Sequence, residues 1–239
     1  MKVSKTHISR YRKQIVGKVE NPQIERFLEK LAGRISMPSV ILDVGSWHAE
    51  QSVEFSAAFP KAKVWAFEVN PPSVRVCRTK RTSQIAVVRG AVCDKDGPVD
   101  FYPIDVEKHP DCLEGSAGMF PTSARWPEYS KRYIGAHKRI VVPGIRLDTW
   151  AASVGVKHVD IVWMDLQGAE LLALKGMGKL LETVQAIWTE VSYRELFKGG
   201  VLFPELDRFL WLNGFACVAE YGEMIHSGDA CYIKKGLLQ

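Results

Sequence analysis

Two short segments concentrate the residues that could do chemistry. Ser39-Val40-Ile41-Leu42-Asp43-Val44-Gly45-Ser46-Trp47-His48 and Val64-Trp65-Ala66-Phe67-Glu68-Val69-Asn70-Pro71 are each an apolar run that ends in an acid at a turn, with a helix-sized stretch between them. In a doubly wound sheet that layout brings two carboxylates to neighbouring strand ends. Gly45 lets the backbone approach a ligand, and a carboxylate after the second strand accepts hydrogen bonds from both hydroxyls of a ribose. Asp43 alone would read as a turn residue bonding its own backbone amides. Glu68 at the next strand end turns the balance toward a nucleoside-bearing ligand. Further on, Asp160-Ile161-Val162-Trp163-Met164-Asp165 ends another apolar strand in an acid. Glu190 closes the next strand and faces the same edge, which makes it a candidate substrate contact. Glu170 reads as a helix N-terminal acid, stabilised there by about 0.3–1 kcal/mol through the helix dipole. His48 stands evenly between loop residue and substrate contact.

The elements that must position these groups alternate along the chain. Ile24, Phe27, Leu28 and Leu31 share one face of a helix over Pro22–Leu31, with Asn21 as cap and Pro22 in the first turn. Strands are expected over Val40–Val44, Val64–Phe67, Ile85–Val88, Val159–Asp165 and Val184–Val191, with helices over Ala49–Phe59, Pro72–Thr79 and Pro204–Leu212. Shorter helices start at Asp148 and Gly168. Gly97–Tyr102 alternates in the manner of an added edge strand, and Phe215–Ala219 with Ala230–Ile233 forms a terminal hairpin. The pattern implies one three-layer α/β/α domain over residues 1–239, with an N-terminal helical extension at about 1–36 and an irregular insertion at about 104–138. A long irregular segment is either a functional loop or a disordered one. His109, Ser116, Ser123 and His137 lie in it, with solvent exposure the default and a lid the alternative.

Composition narrows the classes. A chain of 239 residues that is 46% hydrophobic forms a core burying roughly 70–75% of its unfolded surface without a disulfide staple. Cys77, Cys93, Cys112, Cys217 and Cys231 contain no Cys-x-x-Cys pair, so neither a disulfide framework nor a zinc site is indicated, and a reducing cytoplasm is expected. No apolar run approaches the roughly 18–20 residues of a membrane span, and no secretion core follows Met1. The net charge of +5 gathers in Lys2, Lys5, Arg10, Arg12, Lys13 and Lys18 and again in Arg75, Arg78, Lys80 and Arg81. These clusters read as solvated faces rather than a nucleic-acid surface, because no aromatic stacking platform accompanies them.

Asp43-Val44-Gly45, Phe67-Glu68-Val69-Asn70-Pro71, the run from Asp160 through Asp165-Leu166-Gln167-Gly168-Ala169-Glu170, and Leu174-Lys175-Gly176 together resemble the FkbM-type S-adenosylmethionine-dependent methyltransferases. The segment from Glu195 to Phe215 is similar to that family's C-terminal pattern, so the likeness covers most of the chain from Ser39. The resemblance implies a Rossmann-like three-layer α/β/α class I methyltransferase sheet, mostly parallel with an antiparallel C-terminal strand, and S-adenosyl-L-methionine across its strand ends. It assigns Asp43, Gly45, Ser46 and Trp47 to the cofactor turn, Glu68 and Val69 to the ribose side, and Ala91 with Val92 to the wall against adenine. This chain departs from the family turn, usually Asp-Val-Gly-Ala-Asn-x-Gly, at Ser46, Trp47, His48 and Ala49, and it carries Gln167 where the family motif usually has glutamate. Trp47 either packs over a ligand or fills part of its pocket, and packing is favoured because indole offers a large apolar face at low conformational cost.

The implied reaction is O-methylation of a hydroxyl on a small molecule, a sugar, glycan or polyketide-like acceptor. Such a hydroxyl needs a group to take its proton, and Asp165 is the first candidate, with His48 as the alternative. A divalent cation held by Asp165 and Glu190 is disfavoured, since two acids far apart in sequence are no ligand signature. A nucleic-acid methyltransferase would account for the basic clusters. A nicotinamide oxidoreductase would account for the turn but not for the later motifs. A non-catalytic binding protein on the same scaffold would account for Trp47 and Gln167.

Overall fold

Alternating side chains with both alternations apolar decide the central sheet. Along β1 (Val40–Val44), Ile41 points to one face while Leu42 and Val44 point to the other, and all three are fully buried. The computed structural model describes residues 18–238, so Lys2, Lys5, Arg10, Arg12 and Lys13, and the first part of the expected N-terminal extension, lie outside the described residues. The strands that follow are β2 (Lys63–Glu68), β3 (Ile85–Arg89), β4 (Ala91–Val92), β5 (Gly97–Phe101), β6 (Ile140–Ile145), β7 (Ile161–Met164), β8 (Ala186–Ser192), β9 (Phe215–Tyr221) and β10 (Ser227–Lys234). The helices are α1 (Pro22–Leu31), α2 (Glu50–Ala58), α3 (Pro71–Thr79), α4 (Pro127–Ser130), α5 (Leu147–Val154), α6 (Glu170–Gly176) and α7 (Phe203–Leu212).

Seven strands form the main sheet in the order β3-β2-β1-β7-β8-β10-β9. The first five run parallel, and β10 is antiparallel to both β8 and β9. This is the Rossmann-like, mostly parallel sheet with an antiparallel strand near the C-terminus that the sequence implied. Leu42, Val44, Val162, Met164 and Ile187 join one core with α5, α6 and α7. On the opposite face Ile41, Trp163, Trp188 and Cys231 pack with α1 and α2. Burial of both faces explains why these strands read as nearly continuous apolar runs.

Helix α1 is an integral layer. The Asn21 side chain accepts hydrogen bonds from the amides of Gln23 and Ile24, at 2.8 and 3.3 Å. Glu54 of α2 in turn accepts from the Asn21 amide. Phe27 is fully buried with its ring edge-on to Phe55, Trp163 and Trp188, at centroid distances of 6.4, 5.9 and 5.8 Å.

Two features depart from the sequence reading. Gly97–Phe101 does not extend the main sheet; it is the edge of a second, three-stranded sheet ordered β4-β6-β5. Its partner β6 was not anticipated, because Pro143 and Gly144 mark a turn by type and Val141 is exposed. The insertion between β5 and β6 carries little regular structure and folds back on itself. Ile104, Cys112, Tyr133 and Ala136 form its own small cluster. Ser116 and Ser123 are buried rather than solvent-exposed, donating to the Tyr133 hydroxyl and the Glu195 carboxylate, and His137 bonds the Tyr102 carbonyl and the Thr122 hydroxyl. Among the described residues no helix is long and apolar enough to cross a membrane, and all five cysteines are free thiols.

Removing the Phe27 ring leaves a cavity between α1 and two tryptophans, so Phe27→Ala should lower unfolding stability by about 3–5 kcal/mol in denaturant titration. A loss below about 1 kcal/mol would mean that α1 is a loosely attached extension.

Candidate active site

The carboxyl ends of β1, β2 and β7 open into a cleft enclosing about 1030 Å³, part of it open to solvent. Gly45 begins one wall. Its φ of 81° is a left-handed conformation that suits glycine. A Cβ there would fall on the Asp165 carbonyl, so only glycine lets the turn after β1 meet the end of β7. The Gly45 amide donates to the Phe67 carbonyl at 3.0 Å, which ties the same turn to β2.

Beside this turn, Glu68 is buried with its Oε1 accepting from the Val69 and Asn70 amides, both at 2.7 Å. Desolvation pushes the Glu68 carboxyl up to about 7, against the lowering effect of those amides. Asn70 sends its Nδ2 to Glu114 at 3.1 Å, while its buried Oδ1 has no protein partner. Ala91, Val92 and Phe101 supply an apolar side wall, and Glu114 to Met119 of the insertion close the cavity from above. Trp47 borders the opening with 44% of its surface exposed, its indole stacked on the His48 ring at 4.3 Å.

Several residues expected to touch a ligand stand outside these walls. Asp43 is fully buried, with one oxygen accepting from the Ser52 hydroxyl of α2 and the other unpartnered. Ser46 is buried and donates through both its amide and its hydroxyl to the Phe67 carbonyl. His48 lies behind Trp47. These side chains shape the turn rather than wall the cavity, whereas Gly45, Trp47, Glu68, Val69, Ala91, Val92 and Asp165 do line it.

Asp165 opens into the cavity floor beyond β7. The side-chain amide of Gln167, a residue with φ of 53°, donates through Nε2 to Asp165 Oδ1 at 2.6 Å and to Glu190 Oε2 at 3.0 Å. Glu190 therefore sits behind the bridge, outside the cavity walls. Desolvation raises both acids, although Asp165 is exposed to the open cleft and Glu190 is only half-buried, and Glu190 goes well above its ordinary range because Asp165 and Glu170 add repulsion. Glu170, pushed by burial to about 7, caps its own helix start through the Leu166 and Gly168 amides. Asp165, Glu170 and Glu190 bring carboxylate oxygens within 4.8 Å of one another, close enough for a cation, while one oxygen of each already accepts from an amide.

The cavity continues past Asp165 into a lobe between α1, α2 and β10, lined by Gln23, Gln51, Trp163, Trp188 and Asp229. None of these was singled out in the sequence. Gln23 and Asp229 meet across 206 positions, and neither carries a local motif.

A family model of the methyltransferase FkbM domain matches residues 41–217. Over 162 residues the chain is 29% identical to the 2-O-methyltransferase NoeI of Sinorhizobium fredii, covering 67% of this chain and 66% of that protein, so it spans a little under two thirds of that relative's length. Among solved structures, Aeropyrum pernix fibrillarin with natively bound S-adenosyl-L-methionine superposes with a TM-score of 0.50 at 10% identity, over 88% of this chain and 74% of that one. The Methanococcus jannaschii fibrillarin pre-rRNA processing protein gives a TM-score of 0.49 at 14% identity, over 86% and 74%. At these identities the likeness concerns the fold alone.

The raised acids fix the sign of a pH effect. Asp43, Glu68 and Glu170 are each held at about 7 by burial, against unfolded values near 4. Between those limits the folded state binds more protons than the unfolded chain. Their contribution to stability is thus complete below about pH 4 and is lost as pH rises through about 7. Asp43→Asn keeps a partner for Ser52 and should flatten that decline by up to about 1.4 kcal/mol per pH unit. Denaturant midpoints compared across the window measure it, and an unchanged slope would remove Asp43 as a proton-holding group.

Proposed function

Because this chain belongs to the FkbM methyltransferase family, we propose that it methylates a hydroxyl of a small acceptor, with Asp165 taking the proton of the attacking oxygen. S-adenosylmethionine is the methyl donor, and it supplies an electrophilic methyl on a cationic sulfonium. The residues present fit that group. Glu68 offers a carboxylate suited to paired ribose hydroxyls and unsuited to a ribose phosphate. The Asn70 oxygen is buried without a partner, and Ala91 with Val92 offers a flat apolar wall. The charged side chains among the described residues that line the cavity are Glu68, Glu114, Asp165 and Asp229, with no lysine or arginine. An all-acid lining favours a cationic cofactor.

The observation that carries the reading is the Asp165 carboxylate, which stands at the cavity floor between the Glu68 side and the far lobe. The Gln167 side-chain amide, itself bonded to Glu190, orients it. Desolvation by the surrounding cleft raises its affinity for protons above that of a free aspartate, the direction that suits a general base working near neutral pH. Asp165 faces the open cleft, so an acceptor seated there would meet the base directly, and alignment and proton removal would coincide. Methylation of a hydroxyl also agrees with the 2-O-methyltransferase relative. The acid-lined cavity disfavours a nucleic-acid acceptor, because phosphates meet no cation there. The exposed Arg75, Arg78 and Arg81 belong to the outer face of α3 and the turn after it. A single domain, with its irregular insertion acting as a lid, and a cytoplasmic site of action complete the proposal.

Mass spectrometry of candidate acceptors incubated with protein and S-adenosylmethionine should detect a gain of one methylene unit. Glu68→Ala should weaken calorimetric binding of the cofactor by more than about 1 kcal/mol, since it removes a charged hydrogen-bond acceptor. Unchanged affinity in the folded variant would refute the ribose role. Asp165→Asn keeps the shape but not the basic oxygen, so turnover should fall about 10²-fold or more while cofactor affinity changes little. Equal losses in both would make Asp165 a cofactor ligand, and full activity would remove it as the base.

A further inference from the structure

Beyond Asp165 the cavity holds a second polar constellation that the methyl-transfer reading leaves unused. Asp229 on β10 is paired in register with Glu190 on β8. Its Oδ1 accepts from the Trp188 indole N–H at 3.2 Å, and its Oδ2 accepts from the Gln23 side chain at 2.8 Å. Each oxygen therefore has one fixed donor and retains capacity for another, since an ionised carboxylate has about four lone-pair sites. The rest of the lobe suits a hydrogen-bonding guest. Gln51, in the first turn of α2, lines it and makes no side-chain hydrogen bond to the protein among the described residues. Below the polar groups lie Trp163 and Trp188, stacked at 5.0 Å and nearly parallel, with Tyr221 on the far side of Trp188. That stack makes a rigid floor.

We infer that Asp229, oriented by Gln23 and Trp188, anchors the acceptor through its hydroxyls and makes this lobe a subsite for a neutral polyol. The inference rests on the proposal that Asp165 is the base for the acceptor hydroxyl, and it adds how that hydroxyl is presented. Charge selects the class. A phosphate or carboxylate on the acceptor would meet Asp165 and Asp229 with no cation on the walls, and like charges at short range repel strongly in a partly desolvated site. An ammonium on the acceptor would share the cavity with a cationic cofactor. A polyol gives hydroxyl donors to Asp229 and to Asp165, while the Gln51 amide can both give and accept. Gln23 precedes the matched family region and Asp229 follows it, so the two flanks add acceptor contacts to those made by the segment between them.

The test is calorimetric and uses the full chain. S-adenosylhomocysteine is titrated first, then methyl glucoside, glucosamine and glucose phosphate are titrated into the saturated protein. Methyl glucoside should bind best and glucose phosphate worst. Asp229→Asn keeps the side-chain shape, and Gln23→Leu leaves Asp229 unoriented. Both should weaken methyl glucoside binding at least about tenfold, with S-adenosylhomocysteine affinity and thermal midpoint near wild type. Tighter binding of the phosphate or the amine, or unaltered methyl glucoside affinity in both variants, would overturn the subsite while leaving the methyltransferase reading intact. Equal weakening of S-adenosylhomocysteine would make Asp229 part of the cofactor site and also overturn it. Failure of the first titration in wild-type protein would instead remove the cofactor reading, and the subsite with it.

Discussion

Clustered acids with no ion-pair partner among the described residues are the constraint on which the site depends. Asp43, Glu68, Asp165, Glu170, Glu190 and Asp229 all gather near the carboxyl edge of one sheet, and desolvation raises every one of them. Their partners are hydroxyls, amides and an indole: Ser52, the Val69 and Asn70 amides, Gln167, Gln23 and Trp188. Neutral donors stabilise a carboxylate without cancelling its charge. A salt-bridged version of the same edge would be quenched, and a cationic guest would then add less. The arrangement suits a protein whose missing positive charge arrives with its ligand.

The sheet makes that gathering possible. Parallel strands β1, β2, β7 and β8 all end on one side, so residues remote in sequence converge after the last apolar position of each strand. Gly45 closes the convergence by admitting the Asp165 carbonyl where any other side chain would collide. The stack of Trp163, Trp188 and Tyr221 fills the layer beneath, edge-on to Phe27 from α1. Packing and chemistry are thus successive rungs on the same strands, aromatic below and acidic above.

What could be read in the sequence was whatever is local. Strand runs such as Ile41–Val44, the capped helix after Asn21 and the acids closing β1, β2 and β7 announce themselves within a few residues. The second sheet was hidden because β6 carries the residue types of a turn, and its glycine is required by close approach to Val99 rather than by a bend. Gln23, Gln51 and Asp229 were hidden for a different reason, since their placement depends on how α1 and β10 dock. Asp43 and Ser46 were legible as residues of the turn, but which atoms they bond depends on α2 and the end of β2.

The insertion between β5 and β6 carries a consequence for how such a protein can diversify. Its ends are held side by side by the antiparallel pairing of Phe101 with Ile140, and the strands that hold them belong to the small sheet, apart from the seven-stranded one. Closure entropy grows only with the logarithm of loop length, about 0.6 kcal/mol for each doubling. Outside the buried cluster of Ile104, Cys112, Tyr133 and Ala136, residues 102–139 can therefore lengthen or shorten at little thermodynamic expense, and Glu114 to Met119 within them form the cavity's roof. The scaffold thereby separates an element free to drift from one locked by burial, and new pocket shapes can be sampled by inheritance without re-solving the folding problem beneath them.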